Sequence, residues 1–318
     1  MTDKKEYLPE GTRITTPENR ALTGSYAGLA QAMANKTILE AMAVLCENDY
    51  SLHVDLGEVH GIIPRNEIAY SKIGEPVKDI AVITRVGKAV CFVVQQLLAD
   101  ADGGYTAILS RKEAQKQCME AYLTQLSCGD IIPAKVTHME QFGAFVDVGC
   151  GVVSLLSIDC ISVSRILHPH DRFDIGMPLK VAVKSIDRES GRMYVTYKEL
   201  LGTWEENAAY FHIGQTVAGI VRSIEEYGIF VELLPNLAGL AEYRPDITVG
   251  QICAVYIKNI VPERMKIKLV LIDSYKGELS PKKLTVPDVG LLHQDVTHLE
   301  DWQYSPLGCK KIIRTQFA

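Results

Sequence analysis

The sequence contains no long apolar segment. No hydrophobic run approaches the roughly 20 residues that a transmembrane helix needs, and the polar opening MTDKKEYLPEG lacks the apolar stretch of a secretory signal peptide. These absences argue against a membrane span and against export, so we expect a cytoplasmic protein. With 318 residues, 47% of them hydrophobic and 23% charged, the chain has the composition of an ordinary folded protein of two or three domains.

Motifs for catalysis and metal binding are missing as well. The sequence has no P-loop, no GxSxG, no HExxH and no dinucleotide-binding fingerprint. His168, His170 and Asp171 have the residue types of metal ligands, but no second ligand cluster lies at a suitable spacing. The eight cysteines are scattered without a CxxC pair, which indicates buried thiols rather than disulfides or a zinc ribbon. We therefore predict a protein that is not an enzyme and that has neither metal nor cofactor.

An excess of positive charge is also absent. The 33 lysines and arginines are outnumbered by 39 aspartates and glutamates, so the net charge is −6. A general duplex-DNA binder would carry a broad basic surface. Any nucleic-acid function of this chain therefore has to rest on particular residues.

A short sequence pattern recurs three times at domain-sized intervals. It reads YSLHVDLG at 50–57, FGAFVDVG at 142–149 and YGIFVELL at 227–234, so the copies begin 92 and then 85 residues apart. Solenoid repeats are roughly 20 to 50 residues long. The longer and unequal offsets indicate three repeated domains instead.

Each copy has the same succession of short β-strand patterns. In the second copy a β-branched run, GDIIPAKVTHME, precedes the repeated line, and a short apolar run, GVVSLLS, follows it. Two alternating runs, PLKVAVKSID and RMYVTYKEL, close the copy. Five short strands with glycine-marked turns are typical of a small closed barrel. We therefore predict an all-β chain of three tandem five-stranded barrels.

The segments between the barrels have helical patterns. In RKEAQKQCMEAYLTQLSCG, apolar residues recur at every fourth position, and TWEENAAYF begins with a capping box of Thr203 and Glu206. We therefore predict short helices as connectors. The expected division is an N-terminal extension at 1–35, barrel 1 at 36–118, a helical linker at 119–128, barrel 2 at 129–200, a linker at 201–210, barrel 3 at 211–274 and a C-terminal tail at 275–318.

Two of the copies resemble a known family. The strings GDIIPAKVTHMEQFGAFVDVG and GQTVAGIVRSIEEYGIFVEL resemble the RNA-binding domain named after ribosomal protein S-one of the bacterial small ribosomal subunit. The resemblance extends over 36–274, and GRMYVTYKELLGTWEENAAYF resembles the inter-domain sequence of the same family. It implies OB-fold barrels in a short three-domain relative. It also implies binding of single-stranded RNA, including mRNA, and a partnership with the small ribosomal subunit in translation.

Aromatic residues around a glycine are the first candidates for RNA binding. Phe142 and Phe145 are three positions apart, and a bend at Gly143 would bring both rings to the outer face. The same arrangement recurs at Tyr227, Gly228 and Phe230. Exposed rings on a sheet form platforms on which unpaired bases stack. The alternative is that one ring of each pair belongs to the core.

The resemblance places polar residues around these rings. The family's arginine at the start of the last strand falls on Arg192 and on Arg264, and its acidic position falls on Asp187. Lys135 on the first strand and two lysines of the last strand of barrel 3, Lys266 and Lys268, are possible phosphate contacts. The alternative for the lysines is a solvated surface.

The sequence departs from the family at one position in every barrel. Where the family often carries a histidine after the third strand, this chain has Pro64, Ser157 and Glu242. Ser157 still offers a hydrogen-bond donor, so we keep it as an RNA-binding candidate. Glu242 places a negative charge near the expected path of the RNA backbone.

Barrel 1 departs further. Tyr50 and His53 stand at the two ring positions, and Thr106 stands where the arginine would be. By resemblance we interpret barrel 1 as a docking domain that contacts the ribosome or another protein. A stacking role for His53 is the alternative.

The two ends carry weaker signals. An Ala-rich stretch before residue 35 predicts a short helix, and the tail begins with the proline-punctuated SPKKLTVPDVGLLH. Trp302 and Tyr304, with the basic cluster Lys310, Lys311 and Arg314, either contact RNA or belong to a segment that packs against barrel 3.

The function we predict is single-stranded RNA binding by barrels 2 and 3, in association with the small ribosomal subunit. Two alternatives remain. One is an RNA-binding regulator of transcription or RNA decay, and the other is a protein-interaction scaffold with little affinity for RNA.

Overall fold

Short β-strands are the main regular structure of this protein. The computed structural model describes residues 7–71, 77–101, 103–275 and 296–317. These ranges contain three closed five-stranded barrels and one two-stranded sheet. The prediction of an all-β chain of three tandem OB-like barrels joined by short helices is confirmed. No helix in the described ranges has the length and apolar character of a membrane span.

The elements follow the chain in order. Barrel 1 consists of β1 Leu39–Cys46, β2 Leu52–Leu56, β3 Val59–Ile63, β4 Ala89–Ala99 and β5 Tyr105–Ser110. Barrel 2 consists of β6 Ile131–Glu140, β7 Gly143–Asp147, β8 Val153–Ser157, β9 Pro178–Asp187 and β10 Arg192–Thr196. Barrel 3 consists of β11 Thr216–Glu225, β12 Gly228–Leu234, β13 Leu237–Ala241, β14 Ile252–Val261 and β15 Lys266–Tyr275. The helices are α1 Pro17–Thr23, α2 Tyr26–Asn35, α3 Asp79–Ile83, α4 Arg111–Ala121 and α5 Trp204–Ala208, and the final sheet pairs β16 Asp301–Gln303 with β17 Arg314–Gln316.

All three barrels close in the same way. Neighbouring strands are antiparallel except for one parallel pair between the third and the fifth strand, namely β3 with β5, β8 with β10 and β13 with β15. The first strand of each barrel has a bulge, and the bulges lie between Ala43 and Leu45, Val136 and His138, and Val221 and Ser223. Closure leaves no strand edge exposed for pairing with another chain. The shared bulge and closure make positions in the three barrels directly comparable.

The helical connector between barrels 1 and 2 is part of the core of barrel 2. Its residues at every fourth position are all buried, as the spacing predicts: Ala114, Cys118, Tyr122 and Leu126. Helix α4 begins at Arg111, because the Ser110 hydroxyl accepts a hydrogen bond from the backbone N–H of Glu113 at 2.8 Å. It therefore starts before the predicted linker at 119–128. The predicted capping box is present at α5, where Thr203 and Glu206 bond reciprocally.

A buried ion pair joins barrels 1 and 2. Glu10, in the N-terminal segment, accepts hydrogen bonds from Nε and Nη2 of Arg111 at 2.6 and 3.0 Å. Glu10 also accepts from the backbone N–H of Cys91 in β4, while its own N–H donates to the Asp147 carboxylate of β7. Burial alone would raise the pKa of Glu10, but the charge and hydrogen bonds of Arg111 hold it below its ordinary value. The N-terminal segment therefore fastens both barrels to the connecting helix.

Charged residues also join barrels 2 and 3. Glu232 of β12 accepts from Arg172 and from Arg222, each at 2.7 Å, and Arg222 reaches Asp171 at 2.8 Å. Arg172 and Glu232 are both buried. Asp171 is the last residue of the motif HPHD, in which His168 caps a short 3-10 helix, Pro169–Asp171. The motif is therefore part of this joint. No group of three potential ligands in the described part of the chain could hold a metal ion.

Asn236 adds a second contact at the same joint. Its side-chain oxygen accepts from the backbone N–H of Val163 at 2.9 Å, and its amide donates to the Lys198 carbonyl at 2.8 Å. Because Val163 and Lys198 belong to the segments around barrel 2, this one side chain fixes the start of β13 against the preceding domain. The relative orientation of barrels 2 and 3 therefore rests on directional polar contacts.

The C-terminal segment, residues 296–317, contacts both barrel 2 and barrel 3. Trp302 and Tyr304 are buried in the core of barrel 3, which decides between the two interpretations of these rings. The N–H of Leu299 donates to the Gly129 carbonyl at 2.9 Å, at the start of barrel 2. The Ala-rich stretch forms α2, as predicted. The proline-punctuated stretch 280–293 lies outside the described residues.

We predict that Arg111→Ala lowers the free energy of unfolding by about 3 to 5 kcal/mol, because it leaves the buried Glu10 carboxylate without its partner. Urea denaturation followed by circular dichroism measures this loss. The matched control is Arg244→Ala, which breaks an exposed pair with Asp246 and should cost much less, because solvent screens an exposed ion pair. Equal losses for the two variants would contradict the structural importance of the buried pair.

Candidate nucleic-acid interface

A row of outward-facing side chains crosses barrel 2. Phe145 of β7 lies opposite His138 of β6 on one side and Leu155 of β8 on the other, and Leu155 pairs with Tyr194 of β10. The rings of His138 and Phe145 stack with centroids 6.1 Å apart and planes inclined by 21°. Tyr194 is exposed, and Phe145 and Leu155 are half-buried. Three rings therefore share one face of the barrel.

Phe142 extends this surface from a turn. Strand β6 ends at Glu140 and β7 begins at Gly143, so Phe142 lies outside both strands. Its ring is 56% exposed and stands perpendicular to that of Phe145, with centroids 6.0 Å apart. Both rings face outward as the sequence interpretation expected, but the reason is the hairpin turn and not a bend within the strand.

Gly143 has a different role from the one expected. It pairs with Ser157 of β8, and a Cβ atom at this position would lie 2.5 Å from the Leu156 carbonyl oxygen. Only glycine permits this close approach of the two strands. Ser157 is thereby held beside the rings, where its hydroxyl donates to Asp159 and lowers the pKa of that carboxyl group.

Arg192 and Asp187 lie where the last two strands of barrel 2 meet. They pair with each other across the hairpin of β9 and β10, and Arg192 is exposed two residues before Tyr194. Asp187 accepts from Ser190 and from the backbone N–H of Glu189, and the bonds from Ser190 contribute most to the lowering of its pKa. Arg192 is therefore available to an anion, whereas Asp187 stabilises the turn that presents it.

Barrel 3 repeats the ring geometry. Tyr227 lies in the turn between β11 and β12, is 70% exposed, and stands perpendicular to Phe230 with centroids 6.1 Å apart. Phe230 pairs with Ser223 and Leu240, and Leu240 pairs with Lys268 of β15. Lys268 therefore occupies the position that Tyr194 has in barrel 2, and Ser223 that of His138.

The hairpin register identifies Lys266 as the counterpart of Arg192. Lys266 pairs with Val261 and lies two residues before Lys268, as Arg192 lies two residues before Tyr194. Arg264 belongs instead to the short 3-10 helix Pro262–Arg264 in the turn. The letters Arg-Met recur in GRMYV and ERMKI, but Arg264 lies two residues before the first residue of β15, so its RNA-binding role stays a prediction.

Lys135 is engaged elsewhere. Its side chain is half-buried, and its Nζ atom donates to the Glu10 carbonyl at 2.9 Å. It contributes to the joint with the N-terminal segment, so we leave it out of the proposed RNA surface. Glu242, by contrast, is exposed next to the last residue of β13.

The described strands of barrel 1 carry no exposed ring row. His53 takes the place of Phe145 but is only 8% exposed, and its Nδ1 atom lies 2.9 Å from Nε2 of His60. The other members of its row are aliphatic: Leu45, Ile62 and Ile108. A buried histidine with a bonded neighbour offers little surface for a base.

Tyr50 and Thr106, the other two candidates in barrel 1, also have partners within the protein. The Tyr50 ring is covered by the guanidinium of Arg65, whose carbon lies 4.5 Å from the ring centroid. Thr106 donates to the Asp100 carboxylate at 2.9 Å. Ile108 occupies the row position that Tyr194 has in barrel 2, and Thr106 lies two residues before it. Thr106 therefore stands at the equivalent of Arg192.

Two members of the ring row, His138 and Tyr194, were not predicted. Strand alternation could have identified Tyr194, because it lies two positions after Arg192 and therefore on the same face. His138 faces Phe145 only because the bulge after Val136 shifts the pairing by one residue. No sequence pattern in the strand announces that bulge.

Comparisons with known proteins agree with this geometry. Residues 126–198, which contain barrel 2, match the family model of the S1 RNA binding domain. The chain is 29% identical over 282 residues to the small ribosomal subunit protein bS1 of Staphylococcus aureus, covering 85% of this chain and 68% of that protein. For the bS1 protein of Staphylococcus haemolyticus the identity is 28% over 301 residues, covering 91% and 72%.

Among solved structures, a multidomain protein with nucleic acid binding domains from Streptococcus pneumoniae is 14% identical over 75% of this chain and 74% of that chain, with a TM-score of 0.24. The resemblance to the ribosomal S1 family is thus confirmed by the sequence comparisons: barrel 2 matches the S1 RNA binding domain, and the three-barrel chain is similar to bacterial bS1 proteins.

Proposed function

We propose that this protein binds single-stranded RNA, including mRNA, on barrels 2 and 3. The observation that carries the proposal is the perpendicular ring pair at equivalent positions, Phe142 with Phe145 and Tyr227 with Phe230. Each base stacked on such a ring contributes about 1 to 3 kcal/mol. The match of residues 126–198 to the S1 RNA binding domain supports the same assignment for barrel 2.

Phosphates of the bound strand meet Arg192 on barrel 2 and Lys266 and Lys268 on barrel 3. Because stacking and these local contacts supply the affinity, a net charge of −6 does not prevent binding. The joint between the barrels keeps the two sites at a fixed separation. A strand that spans both sites binds more tightly than to either alone, since the second contact is intramolecular.

Barrel 1 docks the protein on the small ribosomal subunit, and the protein acts in translation in the cytoplasm without being an enzyme. The similarity to bS1 proteins supports this setting. The aliphatic row of barrel 1 supports a protein contact rather than base stacking, because Leu45 on this row is 52% exposed. The same row favours a scaffold as the second candidate function, in which barrels 2 and 3 would have little RNA affinity.

We predict that Phe142→Ala with Phe145→Ala, and separately Tyr227→Ala with Phe230→Ala, each weakens RNA binding by about 1 to 3 kcal/mol for each base unstacked. Fluorescence anisotropy of a labelled single-stranded RNA across a salt series measures this loss. The dependence of affinity on salt should change little, because no phosphate contact is removed. No binding by the wild type at low salt would favour the scaffold.

We also predict that Tyr194→Ala weakens RNA binding by about 1 to 3 kcal/mol, because its ring continues the row begun by Phe145. The matched control is Tyr210→Ala, since Tyr210 is similarly exposed, at 44% against 37% for Tyr194, but follows α5 and is not part of the row. The same anisotropy assay compares the two. Equal effects would show that position on the row does not matter.

For the ribosomal partner, we predict that the wild type sediments with small ribosomal subunits and that Leu45→Glu reduces the bound fraction. A carboxylate at the centre of an apolar contact has to be desolvated without a partner. Ile213→Glu, at a residue that is 60% exposed outside the barrel strands, is the control. RNA binding without sedimentation by the wild type would favour a regulator of transcription or RNA decay that acts away from the ribosome.

A further inference from the structure

A groove lined by basic residues lies at one end of barrel 3. Arg264 and Lys266 reach it from the hairpin between β14 and β15, and Lys310 and Lys311 reach it from the C-terminal segment. Among the described residues that line it, Glu263 is the one carboxylate, and the groove has a volume of about 450 Å³. All four basic side chains are exposed. Two segments far apart in sequence therefore bring four positive charges to one place.

Among the described residues, these four cations have no counter-ion of their own. Across the described ranges none of them forms a salt bridge, whereas several other arginines are paired with carboxylates, among them Arg111, Arg172, Arg222, Arg244 and Arg314. Like charges that are held close together repel each other. The cluster is a local exception in a chain of net charge −6. An anionic ligand would reduce the repulsion between its four positive charges.

Hydrogen bonds fix the backbone of the C-terminal segment around its two lysines. Ser305 accepts from the backbone N–H of Ile313 and donates to the Lys311 carbonyl, both at 2.8 Å. The Cys309 thiol donates to the Pro262 carbonyl at 3.2 Å, which ties the segment to the hairpin turn. The backbone that carries these lysines is therefore held by the protein's own contacts, and binding does not have to order it.

The groove is continuous with the ring surface of barrel 3. Lys266 and Lys268 alternate with the buried Ile267, so both point outward from β15. Lys266 lines the groove, and Lys268 pairs with Leu240, the neighbour of Phe230. A strand whose bases stack on the rings would reach the groove by following β15.

We propose that the C-terminal segment completes the RNA-binding surface of barrel 3, and that the groove holds consecutive phosphates of the strand whose bases stack on Tyr227 and Phe230. This inference rests on the proposed function and adds a second class of contact to it. The rings contact bases, and the groove contacts the backbone. The segment thereby supplies charge at the end of a barrel that carries Glu242 in place of the family's histidine.

The test is Lys310→Gln with Lys311→Gln in the full chain, with anisotropy of labelled single-stranded RNA measured across a salt series. We expect binding at low salt to weaken roughly tenfold, and the slope of log K against log salt to fall in magnitude by about 1.4, since each phosphate contact to a single strand contributes about 0.7. The control is Lys88→Gln with Lys116→Gln, which changes the net charge equally at exposed positions on barrel 1 and α4.

The outcomes separate the two proposals. If the Lys310 and Lys311 variant matches the control while Tyr227→Ala with Phe230→Ala still weakens binding, the proposed role of the groove is wrong, and the proposal of RNA binding stands. If the wild type binds no RNA, both proposals fail. Arg264→Gln provides a second measurement from the other wall and should lower the slope by about 0.7. An unchanged thermal midpoint of each variant checks that the fold is intact.

Discussion

The parallel pairing of the third and fifth strands, which closes each barrel, determines where the proposed binding surface lies. It places β10 directly beside β8, so that Tyr194 and Arg192 from the last strand of the domain join Phe142 and Phe145 from its second strand and the turn before it. The same closure in barrel 3 brings Lys268 and Lys266 beside Phe230. Residues about 50 positions apart in barrel 2 therefore act as one face only because the sheet closes on itself. The closure also removes the free edges on which other chains could pair.

Buried charges at the two joints determine how the barrels are placed relative to each other. Each joint combines a carboxylate with arginines inside the protein: Glu10 with Arg111, and Glu232 with Arg172 and Arg222. Desolvation of these ions is costly, so such pairs contribute less to net stability than to geometric definition, because an incorrectly placed barrel would leave a charge buried without a partner. A definite arrangement benefits a multivalent binder, since the second site is already oriented when the first is filled.

Sequence patterns were sufficient for the architecture and for part of the site. The threefold repeat and the strand alternation predicted the barrels, and the spacing of Ala114 and Cys118 predicted a helix with one buried face. The ring pairs were found because aromatic residues flank a glycine in both copies. The features that could not be predicted depend on the pairing register of the strands. One is the bulge that turns His138 towards Phe145, and the other is the hairpin register that makes Lys266, rather than Arg264, the counterpart of Arg192. The contact of Lys135 also could not be foreseen, because its partner, the Glu10 carbonyl, is 125 residues away in the chain. Long-range backbone contacts of this kind leave no local pattern.

The position of the C-terminal segment has a consequence for how the molecule is synthesised. The strands of barrel 3 leave the ribosome before Trp302 and Tyr304, although both rings belong to the core of that barrel. Until they arrive, the nascent third domain exposes the apolar surface that they later cover. Barrel 2 meets no such delay with its own helix α4, which precedes it in the chain. Co-translational folding should therefore proceed from barrel 2 towards barrel 3, and a nascent chain that is stalled before residue 302 is the species most exposed to aggregation and to capture by chaperones.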